Sequence, residues 1–283
     1  MKKITVKIPA KINLTLDVGK REGEFHKIES LVASCNLYDA ITVCKRKDNL
    51  VTLTEKNIAV GGDLENNNAV KTAKLFMKEY NTSGVDIVIE KNIPIGSGLG
   101  GSSADIAGVI IAMRKLFAIT SDYFTFAEKL GSDVYYMTQK GGYGVMRGRG
   151  NDIMKINVKR KMYAVLVIGK EQVNTAESYA TFDSLGVEYE KATETCVDLL
   201  IKKDFKALAG KLKNDLYPAS VKILPEINER LNAIKNTDKP LAGLMTGSGN
   251  GVYAIYENRK CAKKAYKKLK AKYKTDAYLI TLF

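Results

Sequence analysis

The 283-residue chain carries one histidine, His26, and four cysteines. Cys35, Cys44, Cys196 and Cys261 show no metal-ligand spacing, and the first two fall in strand-like runs. That excludes a zinc ribbon and a disulfide framework, and reads as free buried thiols in a reducing compartment. No apolar run approaches the roughly 18 residues a membrane span needs. The opening Met-Lys-Lys-Ile-Thr-Val-Lys-Ile alternates and lacks the apolar centre of a signal peptide. Low-complexity tracts and internal repeats are absent as well. These absences leave a soluble, cytoplasmic, globular protein as the expectation.

Acidic residues are in deficit: 31 Asp and Glu against 45 Lys and Arg, a formal charge of +14. Such a balance raises nucleic acid, membranes or anionic small molecules as partners. The densest basic group is Lys260, Lys263, Lys264, Lys267, Lys268, Lys270, Lys272 and Lys274. It shares a helical pattern with Ala262, Ala265, Leu269 and Tyr273, and so reads as the solvated face of an amphipathic helix. A basic chain also suits a polyphosphorylated substrate.

At 45% hydrophobic residues the chain can bury a real core, and its length allows one large domain or two ordinary ones. Strand patterns cover Ile4–Ile8, Lys11–Val18, Ile28–Cys35, Ala40–Lys45 and Leu50–Leu53. A helix is predicted from about Asn67, with a stripe of Ala69, Ala73, Phe76 and Tyr80. Strand Val85–Glu90, a helix ending at Phe117 and another over Ser121–Leu130 follow, then strands Gly144–Arg147 and Ile153–Val158. We place a domain boundary near residue 158, giving domains of 1–158 and 159–283. The second is helix-rich, with strands Met162–Ile168, Leu241–Met245, Gly251–Tyr256 and Ala277–Leu282. Strands and helices mix without strict alternation, which predicts an α+β fold.

The most informative stretch is Pro94-Ile-Gly-Ser-Gly-Leu-Gly-Gly-Ser-Ser-Ala-Asp105. It follows a strand and opens an apolar helix. Glycines there let backbone N–H groups converge, and the helix start adds partial positive charge, so the segment is built as an anion cradle. It is not a Walker A loop, because no lysine lies between Pro94 and Asp105. Nor is it a dinucleotide fingerprint, since it arrives after about ninety residues of mostly strand-like sequence. The plainer alternative is a glycine-rich turn whose Ser102 or Ser103 caps the helix.

Near the start, Pro9-Ala-Lys-Ile-Asn-Leu14 puts Lys11 and Asn13 on one side of a strand. An edge-strand surface lysine would look the same. Four segments taken together are more specific: Pro9–Leu14, the glycine-rich loop, Gly131-Ser-Asp-Val134 and Met245-Thr-Gly-Ser-Gly249. Their order resembles the GHMP small-molecule kinases over nearly the whole chain. Gly23-Glu-Phe-His-Lys-Ile-Glu29, Asn36-Leu-Tyr-Asp-Ala-Ile41 and Asn67-Asn-Ala-Val-Lys-Thr-Ala73 narrow the resemblance. They are similar to the branch that phosphorylates the 2-hydroxyl of a diphosphocytidyl polyol in non-mevalonate isoprenoid precursor biosynthesis.

The resemblance implies a ribosomal-protein-like N-terminal domain and a ferredoxin-like C-terminal one. It implies ATP along Pro94, Gly96, Ser97, Gly98, Leu99, Gly100, Gly101, Ser102 and Ser103, with Asn67 near adenine. Mg²⁺ would accompany the nucleotide, with Ser103 as its protein ligand. An alcohol is a poor nucleophile at neutral pH, and a positioned carboxylate can take its proton. Asp133 matches the family's base, and Lys11 the lysine paired with it, which offsets charge on the moving phosphoryl group. Phe25 would stack on the cytosine, His26 would bond its edge and Tyr179 would close the other side. Asn13 would contact the acceptor, and Gly247, Ser248 and Gly249 would hold the C-terminal side of the site.

The chain departs from the family pattern in three places. Glu24-Phe-His26 replaces Gly-Tyr-His, the loop serines stand one place early, and Tyr135-Tyr-Met137 replaces Pro-Phe-Phe. Two alternatives stay open in the residues: a GHMP kinase for mevalonate, homoserine or a sugar, and a basic nucleic-acid-binding protein on the same fold, with a degenerate kinase as a further variant. The expected partners are ATP and a small cytidyl substrate, without nucleic acid or membrane. A homodimer is allowed.

Overall fold

The computed structural model describes residues 2–23, 25–58, 63–120, 124–139, 141–150, 152–186 and 189–283. Its strands are β1 (Lys3–Asn13), β2 (Thr15–Glu22), β3 (Phe25–Lys45), β4 (Val51–Lys56), β5 (Val85–Glu90), β6 (Tyr143–Gly148), β7 (Asp152–Ile156), β8 (Met162–Val167), β9 (Lys213–Asn214), β10 (Ala242–Met245), β11 (Val252–Tyr256) and β12 (Ala277–Leu282). In the first half the helices are α1 (Asn68–Tyr80), α2 (Gly101–Phe117), α3 (Phe124–Glu128) and α4 (Val134–Thr138). The second half adds α5 (Thr175–Leu185), α6 (Thr193–Ile201), α7 (Phe205–Ala209), α8 (Tyr217–Ile223), α9 (Glu226–Lys235) and α10 (Arg259–Tyr273).

Two compact units are interleaved along the chain. One comprises Met1–Ala10, Leu37–Ile95 and Gly100–Gly141. In it β3 pairs antiparallel with β5, and β5 pairs parallel with β4. Alternate residues Val85, Ile87 and Ile89 of β5 are buried, as a period of two dictates for one covered face. Helix α1 buries Ala69, Val70, Ala73 and Phe76, the stripe expected from the sequence apart from Tyr80, which is half-buried and packs its ring 4.5 Å from Phe76. The side chain of Asn67 caps α1 by accepting from Ala69 N at 2.9 Å. Helix α2 is apolar on nearly every side and buried accordingly.

The second unit comprises Lys11–Asn36, Gly96–Leu99 and Gly142–Phe283. Strands β10, β11, β8 and β12 lie in that order and are antiparallel throughout. Numbered along the chain as β8, β10, β11 and β12, they read 4-1-3-2 from one edge, the split βαβ arrangement of a ferredoxin-like layer. Helices α9 and α10 supply Ile227, Leu231, Ile234, Ala262, Ala265 and Leu269 to a core with Val165, Val167, Val252 and Ala254. The lysine-rich helix α10 thus buries its apolar stripe and turns its cations out, with Lys264 and Lys268 both paired to Asp238. The first part of β3 pairs with β2 and β6, and β6 with β7.

Several boundaries differ from the sequence reading. Residues 28–45 form one strand, where two were expected: β3 exchanges partners at Asn36, whose Oδ1 accepts from Thr281 N at 2.6 Å, and does not stop. Conversely, the run Lys11–Val18 is broken at Leu14 between β1 and β2. The expected helix over Ser121–Leu130 is α3, its first three residues lying outside the described ones. The short helix α4 was not expected. No helix among the described residues is long and apolar enough to cross a membrane.

Candidate active site

In the first unit, the glycine-rich segment enters α2 without a serine cap. Gly100 occupies the cap position in the left-handed region (φ 74°, ψ 26°) and, having no side chain, makes no capping bond. Ser102 and Ser103 lie inside the first turn, which corrects the expectation that one of them caps the helix. The physical reason is the glycine itself, which takes a conformation that a capping serine avoids. The consequence is chemical: a glycine cap offers the first amides of α2 no side-chain acceptor of its own, and a helix start of this kind can meet an anion. Ser102 Oγ is joined to the start of α1, where Asn68 Nδ2 donates to it at 2.8 Å. Asn67, expected near adenine, spends its side chain on capping α1 and on Glu55 Oε1, 3.2 Å away.

A buried cluster holds this segment at both ends. Lys91 Nζ donates to Asp39 Oδ2 at 2.5 Å, to Asp105 Oδ2 at 2.7 Å and to the Gly101 carbonyl at 3.1 Å. Asp39 Oδ1 accepts from Asn92 N (2.6 Å) and Ile93 N (2.8 Å), immediately before Pro94. Burial pushes the Asp105 carboxyl up to about 7, with Lys91 opposing that rise. The sequence reading missed Lys91 and Asp39. Only the lysine's place just before the loop could have signalled it.

Asp133 stands at the cap position of α4 with φ −83° and ψ −11°, and its side chain makes no capping bond to the helix.

In the second unit, Lys11 and Asn13 come together as the alternation of β1 requires. Both are 5% exposed. Lys11 Nζ donates to Asn13 Oδ1 at 2.7 Å, and the same oxygen accepts from Gly247 N at 3.1 Å. Asn13 Nδ2 donates to Ser30 Oγ at 2.8 Å. Asn13 is therefore a junction between the β1 strand and the Thr246–Gly251 turn. That turn links β10 to β11, closed by Thr246 N on the Gly251 carbonyl at 3.0 Å. The other glycine-rich segment runs against it. Gly98 has φ 74°, and a Cβ there would overlap the Thr246 carbonyl, while one on Gly247 would lie 3.0 Å from Gly98 Cα. Lys11 N also donates to the Leu99 carbonyl at 3.0 Å. Ser248 faces α5: its Oγ lies 2.8 Å from Thr175 Oγ1, and its carbonyl accepts from Ser220 Oγ at 2.7 Å.

The three aromatic-pocket residues divide. Phe25 is 47% exposed. His26 points the other way: Nδ1 donates to the Gly19 carbonyl at 2.9 Å, and Nε2 lies 3.0 Å from Asp183 Oδ1 without hydrogen-bond alignment. Tyr179 stacks on His26 at 5.4 Å between centroids, so these two rings form one wall and Phe25 stands apart from it. Among the described residues no three His, Cys, Asp or Glu side chains gather as a metal site. The oxygen donors on offer to a hard cation at α2 are the hydroxyls of Ser102 and Ser103.

Two family models match the chain: the GHMP kinases N terminal domain over residues 67–143 and the GHMP kinases C terminal model over residues 196–275. A 4-diphosphocytidyl-2-C-methyl-D-erythritol kinase of Clostridium botulinum (strain Alaska E43 / Type E3) is 34% identical over 276 residues, covering 95% of this chain and 96% of the relative. One from Syntrophomonas wolfei is 32% identical, covering 99% and 98%. Among solved structures, a 4-(cytidine 5'-diphospho)-2C-methyl-D-erythritol kinase superposes with a TM-score of 0.83 at 26% identity, over 99% of both chains. The uncapped glycine-rich helix start, the 4-1-3-2 layer and these near-full-length likenesses agree, and the chain belongs to the GHMP kinases.

Proposed function

We propose that this chain transfers the γ-phosphoryl group of ATP to the 2-hydroxyl of 4-diphosphocytidyl-2-C-methyl-D-erythritol. The observation that carries the acceptor is the identity of 34% and 32% to kinases named for that compound, each over at least 95% of this chain. The reaction type is supported independently by the α2 start, to which the Gly100 cap brings no side-chain acceptor of its own.

The residues divide the work as follows. The backbone from Gly96 to Ser103 binds the phosphates of ATP. Asp133 takes the proton of the attacking hydroxyl, and Lys11 offsets negative charge on the transferring phosphoryl group. Asn13 orients Lys11 rather than gripping the acceptor, because its side-chain oxygen is already shared by Lys11 and Gly247 N. The hydroxyls of Ser102 and Ser103 would hold Mg²⁺ together with the nucleotide's own phosphates, and the ion would neutralise phosphate charge. Phe25 gives the cytosine an exposed ring face, and the His26–Tyr179 wall sets the pocket's shape. We also propose a boundary between the two family modules near residue 158; the matched segments 67–143 and 196–275 lie on either side of it, although the compact units themselves interleave. The location that goes with this proposal is the cytoplasm.

The test is ADP release from ATP and Mg²⁺ with 4-diphosphocytidyl-2-C-methylerythritol, mevalonate, homoserine and galactose as acceptors, with Asp133→Asn in parallel. Turnover with the cytidyl acceptor alone, lost in the variant, is expected. Turnover with another alcohol would discard the cytidyl reading and keep the kinase.

A further inference from the structure

Asn250, in the turn between β10 and β11, is a residue to which the sequence reading gave no role. It is fully buried and takes φ of 73°, a left-handed conformation that asparagine tolerates better than most residues. Strand β11 pairs antiparallel with β8, and Val252 stands opposite Val167; carried two residues further, that register sets Asn250 opposite Gly169. There the side-chain amide does what a backbone peptide does in a ladder. Its Oδ1 accepts from Gly169 N at 2.5 Å, and its Nδ2 donates to the Gly169 carbonyl at 3.0 Å. Nδ2 also donates to the Glu171 carbonyl. Arg230 of α9 supports the same corner, with a terminal nitrogen 3.5 Å from Asn250 Oδ1 and the other 3.5 Å from Glu171 Oε2. A Cβ on Gly169 would stand 2.5 Å from both Asn250 Oδ1 and Arg230 Cζ, so this approach requires glycine there.

The segment pinned in this way leads to Gln172, whose side chain lies against the start of the glycine-rich segment. A Cβ on Gly96, which has φ of 66°, would come within 2.7 Å of Gln172 Cγ. The turn that carries Asn250 meets the next two residues: a Cβ on Gly251 would stand 2.5 Å from the Ser97 carbonyl oxygen, and one on Gly98 would stand 2.4 Å from the Thr246 carbonyl oxygen. Gly96 is thus supported by Gln172, and Ser97 and Gly98 by the Thr246–Gly251 turn. Asn250 belongs to the turn and fastens the loop that bears Gln172, so one amide fixes the spacing of the two supports. The geometry points to Asn250 as a positioning residue that holds the backbone of Gly96–Gly98 in place by locking Gln172 to the turn. This rests on the reading above that this backbone binds the phosphates of ATP, and adds to it the residue that sets where the backbone stands.

The experiment is calorimetric titration of a non-hydrolysable ATP analogue with Mg²⁺ into the full chain. Wild type is compared with Asn250→Gly, Gln172→Ala and the double variant. Asn250→Gly keeps the left-handed backbone and removes only the amide. Gln172 is exposed, so its truncation leaves folding intact and decides the matter alone where Asn250→Gly does not fold. Gly186→Ala, whose added methyl group meets nothing within 4 Å, controls for loss of stability as such. Affinity for the analogue is expected to fall about 10- to 100-fold in Asn250→Gly and about tenfold in Gln172→Ala, the scale of a displaced binding backbone. The double variant should match Asn250→Gly to within about twofold, because both changes release one support. Losses that multiply in the double variant would mean that Asn250 does not act through Gln172. Unchanged binding in Gln172→Ala, or an equal loss in Gly186→Ala, would reduce Asn250 to a residue of general stability. Each of these overturns the inference while the ATP reading stands. A wild type that does not bind the analogue would overturn the ATP reading, and Asn250's role with it.

Discussion

Lys11 Nζ donates a 2.7 Å hydrogen bond to Asn13 Oδ1, two residues along the same strand. The strand period puts both side chains on one face, and burial of both at 5% exposure keeps water from competing for the bond. Asn13 also receives Gly247 N, so one amide oxygen fixes a cation and a turn at once. Asn13→Ala strips partners from Lys11, Gly247 and Ser30 together. We expect a loss of about 1–3 kcal/mol in unfolding free energy, since the buried Gly247 N–H loses its acceptor and Lys11 one of its contacts. We also expect kcat to fall by about 100-fold with KM for ATP little changed, as befits a residue that orients a charge acting in the transition state. Steady-state kinetics with urea unfolding would check both. An unchanged kcat would mean that Lys11 keeps its position without the amide.

Gly98 is the tightest point between the two glycine-rich segments of the second unit. Its φ of 74° and its approach to the Thr246 carbonyl leave no room for a methyl group. Gly98→Ala must shift backbone on one side or the other. KM for ATP should rise at least about tenfold, because a displacement near 1 Å is enough to spoil a positioned site. Gly186, whose added Cβ would meet nothing within 4 Å at a φ of 58°, supplies the control. Gly186→Ala should cost some stability and leave KM for ATP alone.

His26 and Tyr179 form a stacked pair with the imidazole tied to Gly19 and facing Asp183. His26→Ala therefore removes a wall as well as a polar group. KM for the cytidyl acceptor should rise while KM for ATP holds, and the melting temperature should fall because the Gly19 contact is lost. Equal effects on both KM values would take His26 out of the acceptor pocket.

Much of this site was legible because its parts are local in sequence. A strand, alternate glycines and an apolar helix are contiguous, and Lys11 and Asn13 are separated by one residue, so periodicity alone aligned them. The parts that were missed are joined only by the fold. Asp39, Lys91 and Asp105 are scattered across the chain, and an isolated lysine before a proline-containing loop carries no sign of its two carboxylates. Asn250 meets Gly169 only through the register of β11 on β8. The serine-cap expectation failed for a different reason. Residue preference favours serine at a helix start, yet Gly100 can adopt the left-handed conformation and displaces the cap by two residues. Strand β3 likewise continues through Asn36-Leu-Tyr-Asp39 because each portion has a partner strand, whatever its composition.

The Lys91 cluster makes a pH prediction. Two carboxylates share one ammonium, and Asp105 Oδ1 is buried without a hydrogen-bond partner, so ionising Asp105 is costly in the folded state. Its folded value of about 7 lies above the ordinary carboxyl value of 3.8. Between those values the folded chain holds a proton that the unfolded chain has released, so this group lowers stability as pH climbs from about 4 to about 7, and the loss is complete above that window. The scale is about 4 kcal/mol. Asp105→Asn keeps an acceptor for Lys91 and abolishes the titration. Urea unfolding at pH 5 and pH 8 should show wild type weakening across the interval and the variant holding level, with the variant the more stable of the two at pH 8. Parallel slopes in the two proteins would mean that Asp105 is ionised throughout, matched by Lys91. ATP binding offers an independent check. Bringing phosphates to the start of α2 adds negative charge beside Asp105 and favours its protonated form. Nucleotide binding near pH 7 should therefore take up a fraction of a proton, measurable by titration in buffers of different ionisation enthalpy, and Asp105→Asn should remove that fraction.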